Sequence, residues 1–468
     1  MSDRRSRVRA LLVVLVAVGV ALASGWLVTA AIDLPTGSED YNLVRWEVRH
    51  LPNKWLYRVG TLLRSGPDEA EKTRRVERFL ALNAEIASLE REAAQAGDFD
   101  GLDGAKADIL DELAALRRER DGLENVVEAV LEERVARVAR EVGLESSFPL
   151  FPGARWLFPP VDFEFAVPPR VLAISPRDRI YLESSRLLRS DLTLEEIEAV
   201  ERRREAEGVS ALVAGISGVG TYPSVVPPGA DYGSLLETVA HEWLHHYLFF
   251  RPLGWRYFQD PALATINETV ASIAGRELGA LVAARYPLSA SAPAGRGDAA
   301  EAPPPRPPDP DIDFNQVMRE LRLRVDRLLA EGKVEEAEHL MEEKRRLLVD
   351  NGYFIRRINQ AYFAFHGLYA DTPASSSPTG PKLEELRRRS DSLGDFIHTA
   401  ARITSEADLD RLLASARGGS ASGGSAGSRL FDLDAASTPA AGAFLLLQAL
   451  QRRVHQAAQG QQGFLSRL

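Results

Sequence analysis

Two histidines four residues apart, with a glutamate directly after the first, constrain this chain more than any other feature. In Thr238-Val239-Ala240-His241-Glu242-Trp243-Leu244-His245-His246-Tyr247, a helix would carry His241 and His245 on one face, because four residues advance almost one turn. Two imidazoles so placed can share a metal ion. Glu242 lies about 100° round such a helix, beside the ion and next to any water on it, which is where a general base belongs. The flanks support a helix. Pro227-Pro228-Gly229 reads as a turn, Ser234-Leu235-Leu236-Glu237 as a capping box, and Arg251-Pro252 as the end, with Leu235, Leu236, Val239, Leu244 and Leu248 as the apolar side. His246 falls off the metal face and reads as a residue behind the ligands or lining the cleft.

A His-Glu-x-x-His pattern arises by chance in roughly one chain of this length in a hundred, so a third ligand decides its meaning. Catalytic zinc usually has three protein ligands and one open position. A second helical pattern starts near Pro261, with Leu263, Ile266, Val270, Ile273 and Leu278 as its apolar positions. Within it, Ile266-Asn267-Glu268-Thr269-Val270-Ala271 places the carboxylate of Glu268 among apolar and small residues, where its charge needs a partner. Over about residues 209–286 the two motifs resemble the gluzincin metallopeptidases, the group of thermolysin and the membrane-alanyl-type aminopeptidases. The resemblance implies that His241, His245 and Glu268 hold zinc, that Glu242 is the base, and that a Tyr or His opposite the metal stabilises an oxyanion. The spacing from His245 to Glu268 is slightly longer than in those enzymes, and Ser272 stands where thermolysin-like enzymes carry an aspartate. No GxMEN-type motif for a free amino terminus is present, which favours an endopeptidase over an aminopeptidase.

The chain has 468 residues, 45% of them hydrophobic, enough for two or three domains with a substantial core. A net charge of -10 argues against nucleic acid as a partner. Cysteine is absent, so any metal must be held by His and carboxylate. The expected class is mainly α with a small β-sheet, an α+β arrangement.

Residues 1–9 form a basic tail with Arg4, Arg5, Arg7 and Arg9, and residues 10–32 an apolar run long enough to span a bilayer. The arginines place the tail in the cytoplasm and the rest of the chain outside it. Secretion after cleavage near Ala21-Leu22-Ala23-Ser24 is the alternative. The run continues through Gly25-Trp26-Leu27-Val28, longer than a cleaved segment normally is, which favours a lipid-embedded anchor.

Residues 33–145 read as a helical, coiled-coil-like hairpin region. A short amphipathic stretch at 41–64 precedes apolar repeats at Val76, Phe79, Leu82, Ile86 and Leu89, then at Ile109, Leu113, Leu116, Leu123, Val127 and Val130, with a Gly-rich turn at 97–104. That acidic turn lacks the oxygen ligands of a calcium loop. Residues 146–287 form the expected zinc metallopeptidase core, with strands at 171–174, 180–182 and 211–222 and a helix over 194–207. The resemblance to gluzincins implies an edge strand just upstream of the metal helix that pairs with an extended peptide, for which residues 217–223 are the candidate; an interior strand is the alternative.

Residues 288–312 read as a flexible linker and 313–417 as a helical C-terminal part of the catalytic region, with a charged helix at 314–348 and another helix over 383–403. A helical stretch at 353–369 would put Asn359, Tyr362, His366 and Tyr369 on one face. His366 and Tyr362 are the candidate oxyanion donors. A Gly/Ser linker at 418–428 and a C-terminal helix within 429–468 complete the chain.

The expected function is a membrane-anchored zinc peptidase acting on peptide or protein substrates outside the cytoplasm. The alternative is a helical envelope scaffold, associating through its hairpin with itself or an envelope partner, around a structural or vestigial zinc site. Structural zinc sites are usually closed by four ligands and rich in cysteine, which favours the catalytic reading.

Overall fold

The computed structural model describes residues 38–42, 46, 67–96, 103–148, 151–229, 231–257, 260–289 and 312–415. The expected basic tail and membrane span, most of the amphipathic stretch at 41–64, the turn at 97–102, the bulk of the 288–312 linker, the Gly/Ser linker and the C-terminal helix lie outside them. Among the described residues no helix is long and apolar enough to cross a membrane.

In chain order the elements are α1 (Glu69–Ala96), α2 (Asp103–Glu141), β1 (Ser146–Phe148), β2 (Phe151–Trp156), β3 (Phe163–Phe165), β4 (Arg170–Pro176), β5 (Ser184–Leu188), α3 (Leu194–Glu205), β6 (Val209–Ala214), β7 (Ser224–Val226), α4 (Tyr232–Phe249), α5 (Pro252–Trp255), α6 (Pro261–Arg285), α7 (Phe314–Ala330), α8 (Val334–Asp350), α9 (Gln360–His366), α10 (Thr379–Arg389), α11 (Leu393–Ala400) and α12 (Glu406–Ser415). The fold is mostly helical with small sheets. An antiparallel sheet runs β5-β4-β6, β1 pairs antiparallel with β2, and β3 pairs parallel with β7.

The main core joins α4 and α6 to the hairpin and to α10 and α11. Trp243, Leu244 and Leu248 of α4 and Ile266, Val270 and Leu278 of α6 share it with Phe79, Leu131, Val135, Phe396 and Ile397. The hairpin formed by α1 and α2 is therefore part of the body that carries the metal helices, although its sequence reads as a separate region. Two buried carboxylates tie it down. Glu132 and Glu128 of α2 accept the backbone N–H groups of Phe163 and Phe165 at 3.1 and 2.7 Å. Each bond satisfies a strand N–H that burial would otherwise leave at a cost of about 1–3 kcal/mol.

Alternation along β6 builds the sheet's two faces. Ala211 and Val213 pack with Ile197 and Val200 of α3, while Leu212 and Ala214 face Ala361 of α9. The expected strand at 180–182 is displaced to β5, whose exposed Ser184, Ser185 and Arg186 show no apolar alternation in sequence. The strand expected to run to residue 222 stops at Ala214. Beyond it, a loop containing Gly215, Gly218 and Gly220 leaves the sheet and returns through a bridge between Val219 and Val225.

The expected long helix at 314–348 is a hairpin, because Gly332 adopts φ 75° and turns the chain between α7 and α8. The helix expected over 383–403 is likewise two helices. Ser390 is extended, and Ser392 caps α11 by accepting the Asp395 N–H at 3.1 Å.

Candidate metal centre

Helix α4 begins at the cap Asp231, whose carboxylate accepts the N–H groups of Gly233 and Ser234 at 3.0 and 3.1 Å. The start is three residues earlier than the Ser234 capping box implied. Helix α6 starts in the same manner, with Asp260 accepting from Ala262 and Pro261 in the first turn. Two glycines let the helices meet closely. A Cβ on Gly275 would lie 3.0 Å from His241 Cα, and one on Gly279 would lie 2.8 Å from the Glu237 nitrogen. The histidine face of α4 is thereby set against the Asn267-Glu268 turn of α6.

There the three expected ligands converge. His241 Nε2 and His245 Nε2 are 3.1 Å apart, and Glu268 Oε2 is 3.8 and 3.4 Å from them. One donor atom from each residue lies within 4.8 Å of the others, a group that could hold a metal ion. The other ring nitrogen of His245 is committed, Nδ1 lying 2.9 Å from Asn267 Oδ1. That acceptor calls for a proton on Nδ1, so the neutral ring turns its Nε2 lone pair towards His241 Nε2. A cation between the two Nε2 atoms would satisfy both rings. Nitrogens about 2.1 Å from one tetrahedral ion lie roughly 3.4 Å apart, near the separation found. The residues therefore fit a metal.

The electrostatics agree. With a proton as the only cation, burial opposes charge on His245, yet Glu268, by its charge and hydrogen bond, raises that ring to about 9. Burial, followed by the charge on His245, pushes His241 down to about 4. Burial likewise opposes ionisation of Glu268, but His245, His241 and Tyr257 hold its carboxyl at about 2. The cage is thus anionic through Glu268 and demands positive charge.

Glu242 stands one position round the helix as expected. It is buried, and burial raises its carboxyl to about 7. Pressed against it is the loop after β6. A Cβ on Gly218 would sit 2.8 Å from Glu242 Cδ and nearer still to Oε1, and one on Gly220 would sit 3.4 Å from Oε2. Only glycine leaves room there. His246 supports that loop from beneath, its ring 5.3 Å from that of Tyr222, and burial lowers it to about 4.

Two tyrosines reach the cage. Tyr257, just after α5, donates its phenol to Glu268 Oε1, leaving Oε2 to face the imidazoles. Tyr369 lies 6.1 Å from the His241 ring, near enough to Glu268 for that charge to act on its phenol. Its phenol is raised well above its ordinary value, first by the charge of Glu268, then by burial and Glu242. His366 and Tyr362, the expected donors, stack on each other at 4.3 Å, with Tyr362 packed against both the sheet side and the α7/α8 core. The reason is the length of α9. Only Gln360–His366 is helical, Asn359 is its cap, accepting the Tyr362 N–H at 2.9 Å, and Tyr369 lies past its end. Of the expected common face only Tyr362 and His366 share the helix, and the turn after α9 carries Tyr369 to the cage separately.

The same turn supplies Asp371. Its carboxylate accepts from Ser272 Oγ at 2.9 Å and from Arg276 at 2.7 Å. A carboxylate thus meets α6 at Ser272, but from 99 positions downstream. Comparisons of the chain with protein-family models, with curated proteins and with solved structures return no match. The reading of this site rests on its residues and their geometry.

Proposed function

We propose that the protein is a zinc-dependent peptidase, its metal held by His241, His245 and Glu268. The observation that carries this reading is the cage together with Glu242, a buried carboxylate beside the cage and outside the ligand set. A zinc ion in the cage would act as a Lewis acid and bring the ionisation of a water molecule towards neutral pH. Glu242, beside the cage, would be the residue that takes a proton from an attacking water and gives it to the leaving amine. Its raised carboxyl suits both steps, and a cation in the cage would draw it down towards the form a base needs. The Tyr369 phenol stays protonated and supplies the hydrogen-bond donor for a developing oxyanion. Asn267 holds the His245 imidazole in one tautomer, and Tyr257 fixes Glu268.

A three-ligand cage with an adjacent base favours this reading over an inert structural site. Residues 10–32 would anchor the enzyme with its catalytic body outside the cytoplasm, acting on peptide or protein substrates. The test is metal analysis of purified protein with a peptide-library assay before and after chelation. About one zinc per chain, activity lost on chelation and activity restored by zinc are expected. Metal-free protein that cleaves equally well would refute the assignment. A reporter fused after Leu468 should be active only outside the cytoplasm.

A further inference from the structure

Tyr247 projects about 200° round α4 from His245, and on that side lies a cavity of about 640 Å³. Its lining includes Arg155, Arg251, Arg402, His398 and Glu145. Three guanidiniums therefore face one carboxylate, in a chain whose net charge is -10. Glu145 is 3.6 Å from Arg155. Neither Arg251 nor Arg402 has a carboxylate within ion-pair distance among the described residues.

Arg251 is fixed where it stands. Its guanidinium lies 3.3 Å from the centroid of the Tyr247 ring, donates through Nη1 to the Tyr247 carbonyl, and donates through Nη2 to Ser146 Oγ at 3.2 Å. Capping the end of α4 explains the first of those bonds. It does not explain why Arg155 and Arg402 turn towards the same space. Their convergence shows at His398, which is lowered first by burial and then by Arg251, Arg402 and Arg155, with Asp395 opposing. A fixed guanidinium with two more exposed ones lining the same cavity, with a surplus of about two positive charges, matches a compact dianion, and planar N–H forks match phosphate oxygens.

We propose that this cavity is a phosphate-binding site, separate from the metal centre, that takes free phosphate or the phosphate group of a lipid headgroup. The test uses the full chain and inorganic phosphate at constant ionic strength, followed by calorimetry and ³¹P line broadening. Submillimolar to low-millimolar binding is expected. Arg402→Gln, at an exposed residue outside the core, should weaken it about tenfold, the loss of roughly one charge-assisted bond. Arg251→Gln should abolish it, and Arg251→Lys should retain part. Phosphate binding undiminished in Arg155→Gln/Arg402→Gln would overturn the proposal.

A second arm compares phosphatidylcholine vesicles with and without phosphatidic acid. Enhanced sedimentation on the acidic vesicles that is lost in Arg402→Gln assigns the phosphate to a lipid. Free-phosphate binding without that enhancement assigns it to a soluble ligand. Absence of both free-phosphate and acidic-vesicle binding refutes the site.

Discussion

Gly218→Ala should disable catalysis while leaving the metal in place. The added Cβ would lie 2.8 and 2.9 Å from Glu242 Cδ and Cγ, whereas ordinary carbon contacts need about 3.5–4.0 Å. Either the loop or the carboxylate must give by roughly 1 Å. A shift of that size in a catalytic group costs about a hundredfold in rate, and the overpacking costs about 1–3 kcal/mol of stability. The atoms nearest the added Cβ all belong to Glu242, so zinc content should be unchanged. Parent and variant would be compared for kcat on one sensitive peptide, for zinc by metal analysis, and for thermal midpoint. Unchanged kcat would refute the reasoning that the added methyl drives Glu242 from its working position, and loss of zinc would show that the loop supports the cage instead of the base.

Three further outcomes follow from the same geometry. Tyr257→Phe frees Glu268 Oε1 and should weaken zinc about 10–100-fold in chelator competition, with a changed visible spectrum for the cobalt-substituted protein; equal affinity would refute its positioning role. Tyr369→Phe should lower kcat about a hundredfold at constant zinc content, whereas His366→Ala should change stability more than kcat, and steady-state kinetics on both variants separates the two. On α2, burial, then Asp121, raises Glu124 to about 7. Its neutral form is the one folding favours, so this contribution is complete below about pH 4.5 and is lost as pH rises through 7. At about 1.4 kcal/mol per pKa unit the shift corresponds to roughly 3 kcal/mol, which the partial exposure of Glu124 reduces to about 1–2. Glu124→Gln should therefore gain about that much over the parent at pH 8 and almost nothing at pH 4 in denaturant melts.

The cage was legible because each part of it is local. His241 and His245 are joined by one helical turn, and Glu268 stands out as a charge in an apolar helix. The residues that complete the site give no such signal. Tyr369 and Asp371 reach α6 from about a hundred positions away, and Tyr257 follows a four-residue helix. Gly218 is one of several glycines in its loop, and its importance comes from Glu242, 24 positions later, packing where its side chain would be. The readings that fail are those of helix length. At Gly332 a single left-handed residue ends α7, and the Asn359 cap starts α9 seven residues later than apolar periodicity suggests. The polar outer face of β5 erases its alternation, while the buried β4 and the helix α3 stand where the sequence placed them.

The most direct test of the central claim is a single substitution read two ways. Glu242→Gln keeps the shape of a side chain that binds no cage atom and removes its ability to accept a proton. Zinc content and thermal midpoint should match the parent, while peptide hydrolysis should fall by about a hundredfold or more. A Glu242→Gln protein that retains zinc and cleaves peptides at the parental rate would contradict the account.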